Sequence, residues 1–309
     1  MKDIYINKDD ANLIKGFLML LIVLGHDHLL APVHSMVFDY LYSFHLVCFF
    51  ILPYFYDRKL TLSWVGVKKL GKRLLLPYMT FFVLCVFVSL FLRKGNPQSL
   101  LQIIKGLIIG SPYPLRNSAG FIFLWFLPSF FSFSVLRLIG ARFKQADWVF
   151  LIVSFLSIFL SVDVEESLKN ILPLGLMFAI KFYCFGWISF CIFPYLLKIR
   201  YAWVAVFIAL SILVCSGSCN IVVTRLMPLF AFPVIVLLIP IIKKIPMKCF
   251  GQYSMEIYLL HVFLLSILQR IVPQNILGGI IEYVFALILS YAIVKLIYKI
   301  KLNKILFPK

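Results

Sequence analysis

The sequence is poor in charge and poorest in acids. Only 12 of its 309 residues are Asp or Glu, and charged residues together make up 14%, against roughly 25% in soluble domains. So sparse a supply cannot cover an ordinary water-facing surface. The chain also has no cysteine pair at CxxC spacing and no Cys/His set at metal-ligand spacing, so neither a structural zinc site nor any other metal or tightly bound cofactor is expected. Cys48, Cys85, Cys184, Cys191, Cys215, Cys219 and Cys249 read as free thiols, mostly within apolar runs; Cys215 and Cys219, which flank Ser-Gly-Ser in a short loop, leave a disulfide open. There is no internal repeat, no low-complexity stretch, and no polar segment long enough for a separate soluble fold.

What the chain has is apolar length. Hydrophobic residues make up 63% and mean hydropathy is +1.02, values that belong to a membrane protein. The net charge of +18 could suggest nucleic acid, but the Lys and Arg residues stand in short clusters between apolar runs rather than along one solvated face. The basicity therefore reads as membrane topology, and nucleic-acid binding is not expected.

A bilayer core takes about 20 apolar residues per helix. Runs of that kind fall at 13-30, 37-56, 74-92, 119-139, 148-162, 171-193, 201-216, 221-242, 249-269 and 276-298. The expected fold is therefore all-α, a polytopic helical bundle of about ten transmembrane helices forming a single membrane-embedded domain over residues 1-309. Residues 99-110 are apolar but too short to span and read as an interfacial or re-entrant helix. Most of the Lys and Arg residues lie at the two ends and in the loops 57-73, 140-147, 194-200 and 243-248, which puts both termini in the cytoplasm. No A-x-A cleavage site follows the first apolar run, so that run is read as a mature helix rather than a signal peptide.

Ionisable residues inside spans are functional candidates by default. In the first span Lys15 and His26 are eleven residues apart, about 20° past three full turns, so they share a helical face about 16 Å apart along the axis. Asp27 and His28 follow directly, and Gly16 and Gly25 adjoin the two charged positions, where they allow close approach. Each residue also has an ordinary reading. Lys15 suits a side chain that snorkels to headgroups, His26 and His45 suit satisfied buried histidines, and Trp125 and Tyr258 suit packing or interfacial aromatics.

Five blocks carry a resemblance. LIKGFLMLLIVLGH (Leu13 to His26) resembles a basic residue, ten residues, then His; SFHLVCFFI (Ser43 to Ile51), KRLLLPY (Lys72 to Tyr78), FLWFLPSFF (Phe123 to Phe131) and GQYSMEIYLLH (Gly251 to His261) follow in order. Together they resemble membrane acyltransferase family 3, most closely its fucose 4-O-acetylase-like branch. The chain departs from that pattern where Leu52-Pro53-Tyr54 replaces the usual Ser-Gly-Tyr. The resemblance implies a multi-pass enzyme of the bacterial inner membrane that moves an acyl group, usually acetyl, from acyl-coenzyme A to a hydroxyl of a sugar or polysaccharide acceptor, lipid-linked or free. It implies that Lys15 and His26 are the catalytic pair, that Arg73 serves the coenzyme A phosphates, and that His45, Trp125, Tyr258 and His261 occupy block positions.

The residues suit that chemistry. A hydroxyl attacking a thioester needs a base, and imidazole titrates near neutrality; His26 is the candidate. Asp27 or Glu256 could orient its ring as the third member of a triad does. Lys68, Lys69, Lys72 and Arg73 offer fixed cations for phosphates. A different class also fits ten helices with buried charge, namely an exporter of polysaccharide or lipid-linked sugar.

Overall fold

The computed structural model describes residues 6–56, 60–92 and 99–308. Residues 1–5, 57–59, 93–98 and 309, which carry part of the charge bias read from the sequence, lie outside the described residues. Every regular element among the described residues is helical. In chain order they are α1 (Lys8–His26), α2 (Met36–Ile51), α3 (Pro53–Tyr56), α4 (Trp64–Leu92), α5 (Leu100–Ile109), α6 (Pro112–Ala119), α7 (Phe126–Arg142), α8 (Lys144–Ser157) and α9 (Val162–Lys169). There follow α10 (Leu176–Lys198), α11 (Arg200–Cys215), α12 (Ile221–Leu237), α13 (Ile239–Ile242), α14 (Lys248–Gln252), α15 (Ser254–Leu268), α16 (Ile276–Lys299) and α17 (Asn303–Leu306).

Five stretches among the described residues are long and apolar enough to cross a membrane: Met36–Tyr56, Trp64–Phe91, Phe123–Arg142, Pro173–Lys198 and Ile276–Lys299. Arg200–Cys215, Ile221–Leu237 and Ser254–Leu268 are apolar but shorter, and α1 carries Lys8, Asp9, Asp10 and Lys15 in its first half. Length and composition thus support a multi-pass membrane protein with five clear spans, fewer than the ten apolar runs. Many outward positions are large and apolar, among them Phe87 and Phe91 on α4 and Ile152, Phe155 and Leu156 on α8, as lipid contact requires.

The chain forms two compact units. In the first, Met1–Arg58 with Phe185–Lys299, α1 packs against α2, α14, α15 and α16, and Ile14, Leu18, Met19, Ile22 and Val23 are fully buried. Asn7 starts α1 by accepting the Asp10 backbone N–H on its side chain, which explains why the helix begins well before the apolar run. Glycine permits the tightest approach in this unit: a Cβ on Gly251 would lie 1.7 Å from the Asn12 carbonyl oxygen, and one on Gly16 would lie 2.1 Å from that of Met247. Ion pairs reinforce the contact, Lys243 with Asp10 at 2.9 Å and Lys248 with Asp9 at 2.7 Å.

The second unit comprises Lys59–Cys184 with Ile300–Lys309. Its α7 packs against α4 and α8, and α5 against α6. The apolar run 119-139 is not one helix here, because Gly120 takes a left-handed conformation (φ 71°) at the end of α6 and a 3-10 turn, Phe123–Trp125, precedes α7. The short apolar run 99-110 becomes α5, ended by Gly110 in a left-handed conformation; the Tyr78 hydroxyl donates to the Leu107 carbonyl at 2.9 Å. Glu165 on α9 is buried with Lys181 at 2.5 Å and Lys169 at 2.9 Å. Burial pushes its carboxyl up, but the two ammonium groups more than offset that and hold it below its ordinary value.

All seven cysteines are free thiols. Cys48, Cys85 and Cys184 are buried, Cys191 is exposed, and Cys215 and Cys219 remain unlinked.

Candidate active site

In the first unit three histidines from three helices converge. His26 occupies the last turn of α1, where the carbonyl end of the helix favours positive charge. Its ring centroid is 5.1 Å from that of His261 on α15, with the planes tilted by 42°. On its other flank Tyr42 of α2 meets it edge-on at 6.1 Å, and the Tyr42 hydroxyl lies 3.3 Å from His26 Nδ1. His45, one turn along α2, meets the Tyr42 ring edge-on at 5.0 Å. Gly25 admits this packing, since a Cβ there would stand 3.2 Å from the Tyr42 ring and 3.9 Å from that of His45.

The supporting histidines are oriented by their own backbones. His261 Nδ1 faces the carbonyls of Tyr258 at 2.7 Å and Ile257 at 3.2 Å, and His45 Nδ1 faces that of Leu41. A carbonyl only accepts, so each Nδ1 carries the proton and each neutral ring keeps its lone pair on Nε2. Among the described residues no carbonyl faces His26 Nδ1, which instead meets a hydroxyl able to donate or accept. Of the three, it is the ring whose proton can move without breaking a backbone contact.

The two carboxylates considered as ring partners are engaged elsewhere. Asp27 turns Oδ1 to the backbone N–H groups of Leu29 at 2.9 Å and Leu30 at 3.0 Å, closing the turn after α1. Glu256 accepts from the Tyr298 hydroxyl at 2.7 Å. The polar group that meets His26 Nδ1 is the Tyr42 hydroxyl. Lys15 is half-buried on α1, near Gly16 and its tight contact with the segment around Met247 and Gly251. Tyr258 is buried, with its ring 5.8 Å from that of His261.

Other candidates belong to the second unit. Lys68, Lys69, Lys72 and Arg73 are exposed on the first turns of α4, with Lys68 above Lys72 and Lys69 above Arg73 at i, i+4 spacing. They form a compact cationic surface able to hold phosphates. Trp125 packs on Phe178, with ring centroids 4.2 Å apart, and the Lys169 ammonium lies over the Phe178 ring, 4.9 Å from its centroid.

Two residues near the end of α1 were not singled out from the sequence. Tyr42 lies three residues before His45 and so on the same face of α2. Glu282 is one acid within the apolar α16, a signal the intramembrane rule can register. A family model described as an acyltransferase domain, that of acyltransferase family 3, matches residues 8–299. No curated protein and no solved structure matches the chain.

Proposed function

The chain belongs to this acyltransferase family, and on that premise we propose that it is an O-acyltransferase, acting with acetyl-coenzyme A or another acyl-coenzyme A on a hydroxyl of a cell-surface or secreted glycan. The observation that carries this reading is the His26 ring, held at the end of α1 between Tyr42 and His261 with its Nδ1 on a hydroxyl rather than a carbonyl. In the reaction, the acceptor oxygen attacks the thioester carbonyl as its proton passes to His26. The C–S bond then breaks and the imidazolium returns the proton to the departing thiolate, giving ester and free coenzyme A. The helix end stabilises the imidazolium while it exists.

The cations Lys69, Lys72 and Arg73 hold the coenzyme phosphates in this proposal, and Lys15 takes part on the donor side of His26. Tyr258, beside His261 in the first unit, is proposed to serve substrate binding, and Trp125 is proposed as a substrate contact within the second unit. The proposal includes the fucose 4-O-acetylase-like branch, ten spans with both termini cytoplasmic, and the bacterial inner membrane. The deciding experiment is mass spectrometry of surface glycans from cells carrying wild-type or His26→Ala protein at equal membrane levels. A general base contributes about 100- to 10,000-fold, so the acetyl increment should disappear. Normal acetylation by His26→Ala sinks the role, and glycan translocation without any acyl donor replaces the enzyme with an exporter.

A further inference from the structure

The turn after α1 holds a second polar cluster that acyl transfer does not use. Asp27, His28 and Glu282 each offer a ligand atom, and these atoms all lie within 4.8 Å of one another. Asp27 and Glu282 are both 0% exposed. Asp27 spends Oδ1 on two backbone N–H groups, while its Oδ2 and both carboxylate oxygens of Glu282 are buried with no hydrogen-bond partner among the described residues. The approach is built into α16. A Cβ on Gly279 would lie 2.9 Å from Leu29 Cβ and 2.9 Å from Leu30 Cγ, so only glycine lets the turn settle onto the helix one turn before Glu282.

Two buried carboxyl groups side by side, with three of their four oxygens lacking a donor among the described residues, are unfavourable unless a positive charge joins them. Donor atoms set tetrahedrally about one metal at about 2.0–2.2 Å stand about 3.3–3.6 Å apart, so a set that lies within 4.8 Å closes on an ion by about 1.5 Å at most, which side-chain rotation can supply. We propose that Asp27, His28 and Glu282 bind a divalent transition-metal cation, Zn2+ or Mn2+, that ties the end of α1 to α16. Two carboxylates with one imidazole suit such ions, because an all-oxygen set would favour Mg2+ or Ca2+ and a thiolate set softer metals. Three protein ligands leave the remaining positions to water.

Gln269, just past α15, supplies the outer support that a metal-bound histidine needs. Its amide lies 2.7 Å from His28 Nε2; a half-turn of the amide presents its oxygen to Nε2–H and leaves the lone pair on Nδ1. The expectation of no metal, drawn from Cys and His spacing, did not weigh this set because its third member is 254 residues away from its second in sequence. His26 immediately precedes the site, so an ion there would fix the helix end that carries it.

The test uses the full chain purified in detergent, stripped with EDTA, incubated with Zn2+ or Mn2+ and passed through gel filtration before elemental analysis. Wild type should retain about one ion per chain and its thermal transition should rise with metal. Glu282→Gln should retain less than about a tenth as much and show no such rise. Should Glu282→Gln fail to elute as a single species, His28→Asn, at a half-buried position, serves as the second variant with the same expected loss. A wild-type chain that retains no more metal than its folded variant overturns the proposal and leaves the two carboxyls sharing a proton. None of these readouts involves acyl transfer, so the two proposals fail separately.

Discussion

The Tyr42 hydroxyl is the hydrogen-bonding partner that the His26 ring has among the described residues. The Tyr42 ring is held independently by stacking on Phe38, with centroids 4.1 Å apart, so Tyr42→Phe removes the hydroxyl while keeping the packing. A hydrogen bond of that kind contributes about 1–1.5 kcal/mol, which predicts a fall of about 10-fold in kcat with little change in KM for the donor. Initial rates of acyl transfer in reconstituted vesicles would measure it, and an unchanged kcat would leave Tyr42 a packing residue. The relation of Lys15 to His26 was legible in the sequence because both lie on one regular helix, where spacing fixes direction. The meeting of His26 with His261 depends on tertiary packing, and only the motif resemblance pointed to the second ring. Glu256 and Glu282 give the same sequence signal, one acid in an apolar run. Helix rotation alone sends the first to Tyr298 and the second to His28, and hydropathy does not encode rotation when a helix is apolar all round.

At the scale of elements, the contact between α1 and α14 is the most demanding among the described residues. A Cβ at Gly251 would meet backbone, the Asn12 carbonyl, which cannot swing aside as a side chain can. Gly251→Ala should therefore cost about 3 kcal/mol or more, seen as a lower thermal transition and a smaller monodisperse fraction in detergent. Gly71→Ala on α4, where the nearest atom would be Phe131 Cε2 at 3.8 Å, should be neutral or slightly stabilising, since alanine is the better helix former. Equal behaviour of the two variants would contradict the packing account. Element boundaries were less legible than element existence for a similar reason. The apolar run 119-139 hides the turn at Gly120, because hydropathy registers solvent preference and not backbone direction, and for the same reason the run 13-30 misses the polar first turns of α1, which start at the Asn7 cap.

For the molecule as a whole, the proposed arrangement in the membrane rests on charge placement and can be tested with the protein's own thiols. Cys219 follows α11 and Cys249 lies on α14, both as free thiols of intermediate exposure. The ten-span arrangement with cytoplasmic termini predicts that a membrane-impermeant maleimide labels Cys219 on intact cells and Cys249 only after permeabilisation, as read by peptide mass spectrometry; the reverse pattern would invert the topology. The apolar side chains turned outward on α4 and α8 have a further consequence, for biogenesis. Phe91 is 91% exposed and Phe87 67%, and water around such surfaces drives chains to associate with one another. The nascent chain must therefore meet lipid while it is still being made, and synthesis without membranes or detergent should yield aggregate in place of folded protein.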